Sequence, residues 1–298
     1  MARLTRKPLW RGAVGLLAGL YFLVPVAASV IFTVDVPGQG FTLDAYSGIL
    51  SADGFTDSLL LTLELAAATI VLVMVLLVPA LVAVRLGAPR LRPLLEIICS
   101  LPLVVPSVAL VSGYSSVLRW GPEHLSRTPL FQTFTAVQDK RFPFVLVLAY
   151  TVMALPLAYR ALDSGLRAVD VRVLVEAARS CGASAPRAVL QVVLPNLRGA
   201  LLNASFLTLA LVLGEYTVGA LLGYQPFAVW IVNTGGNQAQ LSVAVSVLSL
   251  VVTWMLLLVF AMLGRGAKVP PPATAGGTPN RRAGRDAAAP APIAQEVA

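Results

Sequence analysis

The chain has few of the residues that build metal centres and disulfide frameworks. Its 298 residues include two cysteines, Cys99 and Cys181, and one histidine, His124. Two cysteines do not make the disulfide framework of a small secreted domain, and a single histidine does not supply a histidine-based metal site or a catalytic triad. We expect both cysteines to be small packing residues, and we expect no metal site.

Lysine is also scarce, and its placement excludes one class of ATPase. The lysines are Lys7, Lys140 and Lys268, and none stands in the Gly-Lys-Ser/Thr context of a phosphate-binding loop. No paired carboxylates, Cys/His cluster or nucleophile elbow is present either. The sequence therefore predicts a protein that is not an enzyme, with no catalytic residues and no cofactor of its own.

Charge is low and apolar residues are abundant. Only 12% of the residues are charged, 57% are hydrophobic, and the mean hydropathy is +0.82, whereas a soluble domain is about 25% charged. The apolar residues cluster in runs of about 20, the length that spans a bilayer. We predict an all-α polytopic membrane protein, its first helix uncleaved, with six transmembrane helices at residues 12–34, 57–84, 94–118, 143–162, 199–222 and 241–263.

The net charge of +8 indicates topology rather than nucleic-acid binding. All but four of the 22 Lys and Arg residues fall in the N-terminal segment, the loop 85–92, the loop 160–198 and the tail. The other segments hold Arg119, Arg127, Lys140 and Arg141. Because basic loops stay inside, we expect both termini in the cytoplasm. The loop 119–142 has two open interpretations, a cover or binding-protein contact at the outer mouth, or a plain connector.

The arginine-rich loop has the pattern of two short helices joined at a corner. Asp170 is a good N-cap, and Val171, Leu174, Val175 and Ala178 form one apolar helical stripe. Gly182 permits a left-handed C-cap. Ser184 and Pro186 suit the start of a second helix, which we expect Pro195 to close before the next span.

The same loop carries a spaced motif. Glu176-Ala177-Ala178 is followed after three residues by Gly182 and, nine residues later, by Val192-Val193-Leu194-Pro195. This motif resembles the EAA loop of permease subunits from binding-protein-dependent ABC importers, with Val192 in place of isoleucine. The resemblance implies that Glu176, Ala177, Ala178, Gly182, Val192, Leu194 and Pro195 couple the chain to an ATPase. The open alternative is an amphipathic helix at the membrane interface, and Glu176 has the further alternative of an ion pair with Arg172 or Arg179.

The resemblance implies an architecture and a set of partners. It implies the transmembrane domain of a type I (MetI-like) importer, with a five-helix core over 57–263 that contains the EAA loop at 163–198 and is preceded by residues 1–56 with the first span. The tail over 264–298 is rich in Pro, Ala and Gly, and from this composition we expect it to be disordered. The implied partners are a second, different permease (a homodimer being the alternative), two ATPase subunits that bind the ATP and Mg²⁺, an extracytoplasmic solute-binding protein and lipid. The implied location is the bacterial cytoplasmic membrane.

Prolines and one polar segment extend the resemblance. The segment 101–106, with Pro102 and Pro106, is similar to the proline-containing third span of this core, where prolines kink or break the helix and free backbone carbonyls. Residues 154–156 are similar in the fourth span. Residues 213–218, Leu-Gly-Glu-Tyr-Thr-Val, are similar to a segment of the polyamine, ferric-iron, thiamine and aminoethylphosphonate branch, which makes a polyamine-like solute our best expectation.

Two carboxylates fall within the predicted spans, both in the outer half of the membrane. Glu64 lies in the second span, and Glu215 lies in the fifth beside Tyr216 and Thr217. One hypothesis is that Glu64, Glu215 and Tyr216 line or gate the solute path, favouring a cation, and the alternative is a structural hydrogen bond to a neighbouring helix. Competing functions are an ion-coupled secondary transporter that uses these carboxylates, a membrane-anchored interaction or sensor protein, and a channel.

Overall fold

The computed structural model describes residues 9–36, 38 and 40–264. Arg3, Arg6 and Lys7 of the basic N-terminal segment lie outside the described residues. The tail that we predicted to be disordered lies outside them as well, from residue 265 onwards.

The described chain is mostly helical, as predicted. Its two strands, β1 (Asp35–Val36) and β2 (Gly40–Phe41), form one antiparallel pair in which Asp35 lies opposite Phe41. The helices of the first half are α1 (Leu9–Val34), α2 (Asp44–Ser47), α3 (Phe55–Leu86), α4 (Arg92–Ser100), α5 (Ser107–His124), α6 (Leu130–Val137) and α7 (Phe144–Arg167). Those of the second half are α8 (Val171–Ser180), α9 (Ala185–Ala188), α10 (Leu194–Asn196), α11 (Arg198–Gly214), α12 (Thr217–Leu221), α13 (Phe227–Gly235) and α14 (Ala239–Gly264). Short 3₁₀ turns lie at Ile49–Ser51, Pro89–Leu91 and Leu101–Leu103, and Val189–Val193 is a π-helix.

Four helices of the described chain are long and apolar enough to cross a bilayer. These segments are Gly12–Val34, Phe55–Leu86, Phe144–Arg167 and Ala239–Leu256. Two further helix pairs pass the same test together but are bent, by 98° between Pro89–Leu103 and Ser107–His124 and by 77° between Ala185–Asn196 and Arg198–Gly214. The number of spans reaches six if each bent pair crosses once, so six spans stays a prediction.

Prolines have different effects in the third and fourth predicted spans. The helical segment before the first bend ends at Leu103, and α5 begins at Ser107, directly after Pro106. The predicted break is therefore confirmed. We expected a similar break or kink at Pro156. This expectation was wrong, because α7 continues through Pro156 without interruption. Pro156 removes one backbone donor, but its side chain is buried and the helix stays continuous.

Three apolar clusters follow one another along α3. The cluster nearest its end contains Val73, Leu77 and Leu81 and packs against the second half of α7 and against α8. The middle cluster joins Leu65 and Ala66 to the first half of α7 and to α11 and α12. The third lies at the start of α3 and joins Phe55 to α13 and α14. Because α3 contributes to all three clusters, it connects the EAA loop at one end to α13 at the other.

The start of α3 is fastened to α13 by two hydrogen bonds. The backbone N–H of Phe227 donates to the buried Thr62 hydroxyl over 2.7 Å, and the Trp230 indole N–H donates to the Asp53 carbonyl over 2.9 Å. The rings of Phe55, Phe227 and Trp230 pack together at this point, with centroids 5.6 to 6.4 Å apart. We call these two bonds and three rings the α3–α13 clasp.

Candidate functional site

Helix α8, the first helix of the EAA loop, is capped and anchored as the sequence predicts. The Asp170 carboxylate accepts a hydrogen bond from the Val173 N–H over 3.2 Å. Val171 and Val175 are buried against the bundle, and Leu174 and Ala178 are partly buried on the same face. The predicted apolar stripe is therefore the face by which α8 attaches to its own chain.

The opposite face of α8 is exposed. Its exposed residues include Arg172, Val173, Glu176 and Ala177, and Val173 retains 57% of its accessible surface although it is apolar. Of the two alanines in the motif, Ala177 points outward and Ala178 inward. Within the described part of the chain, Glu176 makes no ion pair with Arg172 or Arg179.

The corner after α8 favours glycine because of its backbone conformation. Gly182 has φ +86°, in the left-handed region, and no atom lies within 4 Å of the position that a Cβ would take. The Gly182 N–H donates to the Arg179 carbonyl over 2.9 Å, and the Ala183 N–H donates to the Ala178 carbonyl over 3.1 Å. These bonds close the end of α8, so the predicted left-handed C-cap is confirmed.

The second helical segment of the loop runs from Ala185 to Asn196. Ser184 precedes it without a side-chain cap, and Pro186 stands in its first turn. The segment ends at Asn196, directly after Pro195, and a 77° bend separates it from α11, so the predicted closure of this helix before the next span is confirmed. Proline lacks only its own N–H donor and is compatible with the first turn of a short helix. Val193 is buried, Val192 and Leu194 are half-buried, and Pro195 is exposed.

A buried carboxylate lies next to the EAA loop, at the end of α7. The Asp163 side chain is 7% exposed and accepts bonds from the guanidinium groups of three arginines: Arg85 at 2.7 Å, Arg92 at 3.3 Å and Arg167 at 2.7 Å. Arg85 also donates to the Asp163 carbonyl over 3.2 Å. We call these four residues the Asp163 hub. It joins the ends of α3, α4 and α7 where they meet α8.

Sequence analysis missed the Asp163 hub. Asp163 and Arg167 stand four apart on one helix, a spacing that places the two side chains together. Arg85 and Arg92 come from 78 and 71 positions away, and no local pattern predicts such contacts. The i, i+4 pair was the one signal available.

The fifth predicted span is not one continuous helix. Helix α11 ends at Gly214, Glu215 is extended with φ −81° and ψ 114°, and α12 begins at Thr217. We predicted a span over 199–222, and the helix is interrupted within it. The Glu215 carboxylate accepts the Val218 N–H over 2.9 Å, so it caps α12, which explains why the chain tolerates the interruption.

The three residues predicted for a solute path have different environments. Glu215 is buried at 8% exposure, Tyr216 is 41% exposed, and Glu64 is exposed on the outer face of α3. No hydrogen bond or ion pair of the described residues joins Glu64 to Glu215. The described residues also contain no group of three or more His, Cys, Asp or Glu side chains that would hold a metal ion.

The chain has recognisable relatives. Residues 76–267 match the family described as binding-protein-dependent transport system inner membrane component. The chain is also similar to a probable ABC transporter permease protein, y4fN, of Sinorhizobium fredii, with 28% identity over 235 residues that cover 74% of this chain and 39% of the relative. The chain thus spans about two fifths of the length of that relative. Because the family match begins inside α3, includes the whole EAA loop and covers well over half of the sequence, the chain belongs to the family of binding-protein-dependent transport system inner membrane components, which are membrane-spanning ABC permeases rather than enzymes.

Proposed function

We propose that the chain is a permease subunit of an ABC importer that forms half of a translocation pathway and couples it to a separate ATPase. The observation that carries this proposal is the EAA loop. It presents an exposed face of α8 outside the bundle, while the opposite face of the same helix packs into the bundle. A helix held in this way transmits a displacement at its exposed face to the helices behind it.

The route of that displacement follows from the packing. Val171 and Val175 contact the cluster that contains the ends of α3 and α7, and the Asp163 hub holds these ends together with α4. When ATP closes two ATPase subunits, a push on α8 moves the three helix ends as one unit. In this proposal the cavity then opens outward to a loaded binding protein, and ATP hydrolysis resets it.

The proposal includes partners and an orientation. The second half of the pathway comes from a different permease, two ATPase subunits hold the ATP and Mg²⁺, and an extracytoplasmic binding protein delivers the solute. We propose that the chain lies in the bacterial inner membrane with six spans, and the charge distribution supports an orientation with the EAA loop and both termini in the cytoplasm. No cofactor is assigned to this chain.

For the solute we propose a small polar molecule, with a polyamine-like cation first and ferric iron, thiamine or an organophosphonate as alternatives. The support is the branch-like segment 213–218 and a carboxylate at Glu215, with Tyr216 and Glu64 as further lining residues. The capping bond from the Val218 N–H to Glu215 supports a structural role for that carboxylate. Uptake by Glu215→Gln, discussed below, separates the two roles.

The coupling role is tested at Ala177, whose side chain is exposed on the outward face of α8. We expect Ala177→Trp to fold normally and to lose co-purification of the ATPase and solute uptake, because a bulky ring on that face prevents close docking. Ala136→Trp is the matched control for ATPase capture, since Ala136 is an exposed alanine in α6, beyond the other end of α7. Normal ATPase capture by Ala177→Trp would show that this face is not the docking surface.

A second test uses the conformation of Gly182. Proline fixes φ near −65°, which is incompatible with +86°, whereas asparagine tolerates the left-handed region. We expect Gly182→Pro to lose coupling and Gly182→Asn to retain most of it, with both measured as solute-stimulated ATPase activity of the reconstituted complex. Wild-type ATPase stimulation in both variants would exclude a role for the Gly182 corner in coupling.

An ion-coupled secondary transporter is the alternative of another class, and the buried Glu215 is the observation that favours it. Such a transporter has no use for an ATPase. Uptake driven by an ion gradient in liposomes that contain this chain and no ATPase would establish it and contradict the importer proposal.

A further inference from the structure

A cleft of about 570 Å³ opens beside the Asp163 hub, between the ends of α3 and α7 and the starts of α4 and α8. Its volume lies in the range of small-molecule sites, about 300–1,000 Å³. The charged residues that line it are Arg85, Arg92, Arg167, Arg172, Asp163 and Asp170. Neither the EAA motif nor the predicted solute path includes this cleft.

The cleft carries more positive than negative charge. Four arginines face two aspartates, which leaves a formal charge of +2 (4 − 2). The Asp170 carboxylate already caps α8, and the Asp163 carboxylate is shared by three arginines. The Arg172 side chain makes no hydrogen bond or ion pair within the described residues. Because each guanidinium has five N–H donors, many donors in the cleft have no acceptor from the described protein.

Apolar residues form the other part of the wall. Leu81 and Val84 come from the end of α3, and Leu95 comes from α4. Helix α7 has 24 residues and is about 36 Å long at 1.5 Å per residue, against a hydrocarbon core of about 30 Å. In a bilayer we therefore expect its end, and the cleft beside it, at the level of the lipid headgroups. A guanidinium cluster beside an apolar wall suits a ligand with a phosphate head and an apolar tail.

We propose that this cleft binds a phosphate-bearing anion, with the headgroup of an anionic phospholipid as the source that the apolar wall favours. The phosphate oxygens accept hydrogen bonds from Arg92 and Arg172. Among the cleft arginines, Arg92 makes the longest contact to Asp163, and the Arg172 side chain has no partner among the described residues. Arg85 stays committed to Asp163. This site requires only that the chain lies in a membrane. Arg172 also belongs to the exposed face of α8, so lipid binding is measured on the chain without its ATPase.

The test is lipid binding to the purified full-length chain, measured by native mass spectrometry in detergent. Phosphatidylglycerol is titrated in one arm, phosphatidylcholine in a second, and inorganic phosphate in a third. We expect phosphatidylglycerol to bind more tightly than phosphatidylcholine, and Arg92→Gln and Arg172→Gln each to weaken its binding about tenfold. Arg172 is exposed and the Arg92 side chain is 43% exposed, so we expect both variants to fold, which thermal unfolding checks.

The matched control is Arg198→Gln. Arg198 is an exposed arginine at the start of α11, on the same side of the bundle and outside the cleft, and its loss should change binding less than about twofold. Phosphate binding that depends on Arg92 and Arg172, without a preference for phosphatidylglycerol, would assign the site to a soluble phosphate. The proposal is overturned if the binding of neither phosphatidylglycerol nor phosphate is weakened by Arg92→Gln and Arg172→Gln. It is also overturned if Arg198→Gln weakens binding as much as these two variants do.

Discussion

Two buried carboxylates of the bundle, Asp163 and Glu215, are stabilised by different kinds of partner. Asp163 is neutralised by three guanidinium groups drawn from three helices, so its contacts are tertiary. Glu215 is stabilised by a backbone N–H three residues ahead, so its contact is local. The first arrangement joins helices and the second ends one helix and starts another. A carboxylate in an apolar segment therefore does not by itself indicate a solute site.

The largest effect is expected at Asp163. Asp163→Asn leaves the partly buried Arg85 guanidinium without its counterion, and breaking a buried ion pair from one side costs about 3–5 kcal/mol. We expect the midpoint of thermal unfolding in detergent to fall by roughly 10 °C. The double variant Arg85→Met with Asp163→Leu should be less destabilised, because it leaves no unpaired charge in the interior. A double variant worse than Asp163→Asn would contradict this account of the hub.

A smaller effect is expected for Arg85→Gln. Arg85 donates to both a carboxylate oxygen and the carbonyl of Asp163, and Arg92 and Arg167 remain to neutralise the carboxylate. We expect a loss of about 2 kcal/mol, the contribution of charge-assisted hydrogen bonds, measured by the same thermal unfolding. A loss of unfolding free energy equal to that of Asp163→Asn would mean that Arg85 alone stabilises the hub.

Glu215 provides the contrasting case. Glutamine retains a carbonyl oxygen that accepts the Val218 N–H, so we expect Glu215→Gln to keep its yield and stability. Leucine removes the cap, and we expect Glu215→Leu to lose about 1–2 kcal/mol. Solute uptake is measured on the same preparations. Normal uptake by Glu215→Gln would remove the argument for a cation site, and reduced uptake with normal stability would support it.

The smallest effect is expected for Arg167→Gln. The Arg167 side chain is 59% exposed, and exposed ion pairs contribute about 0–1 kcal/mol. We expect a change in unfolding free energy within this range, weaker at high salt. A loss of stability as large as that of Arg85→Gln would show that the contributions of the three arginines to stability do not follow their exposure.

The comparison also shows which features the sequence can predict. Helix α8 was predictable because Asp170, the apolar stripe and Gly182 all lie within one short segment and favour one local structure. The break between Leu103 and Ser107 was predictable from Pro102 and Pro106. The interruption at Glu215 was not, since residues 199–222 are apolar enough for one helix and the capping bond forms only after the chain has turned. The partners of Asp163 required knowledge of which distant helices meet.

The α3–α13 clasp has a consequence for the order in which the protein is made. Its hydrogen bonds join positions separated by 165 and 177 residues, so Thr62 and the Asp53 carbonyl emerge from the ribosome long before their partners. Contacts of such sequence separation form late, after the entropy of a long loop has been lost. Until Phe227 and Trp230 have been synthesised, these two acceptors therefore lack their protein partners, and the fold at that end closes only afterwards.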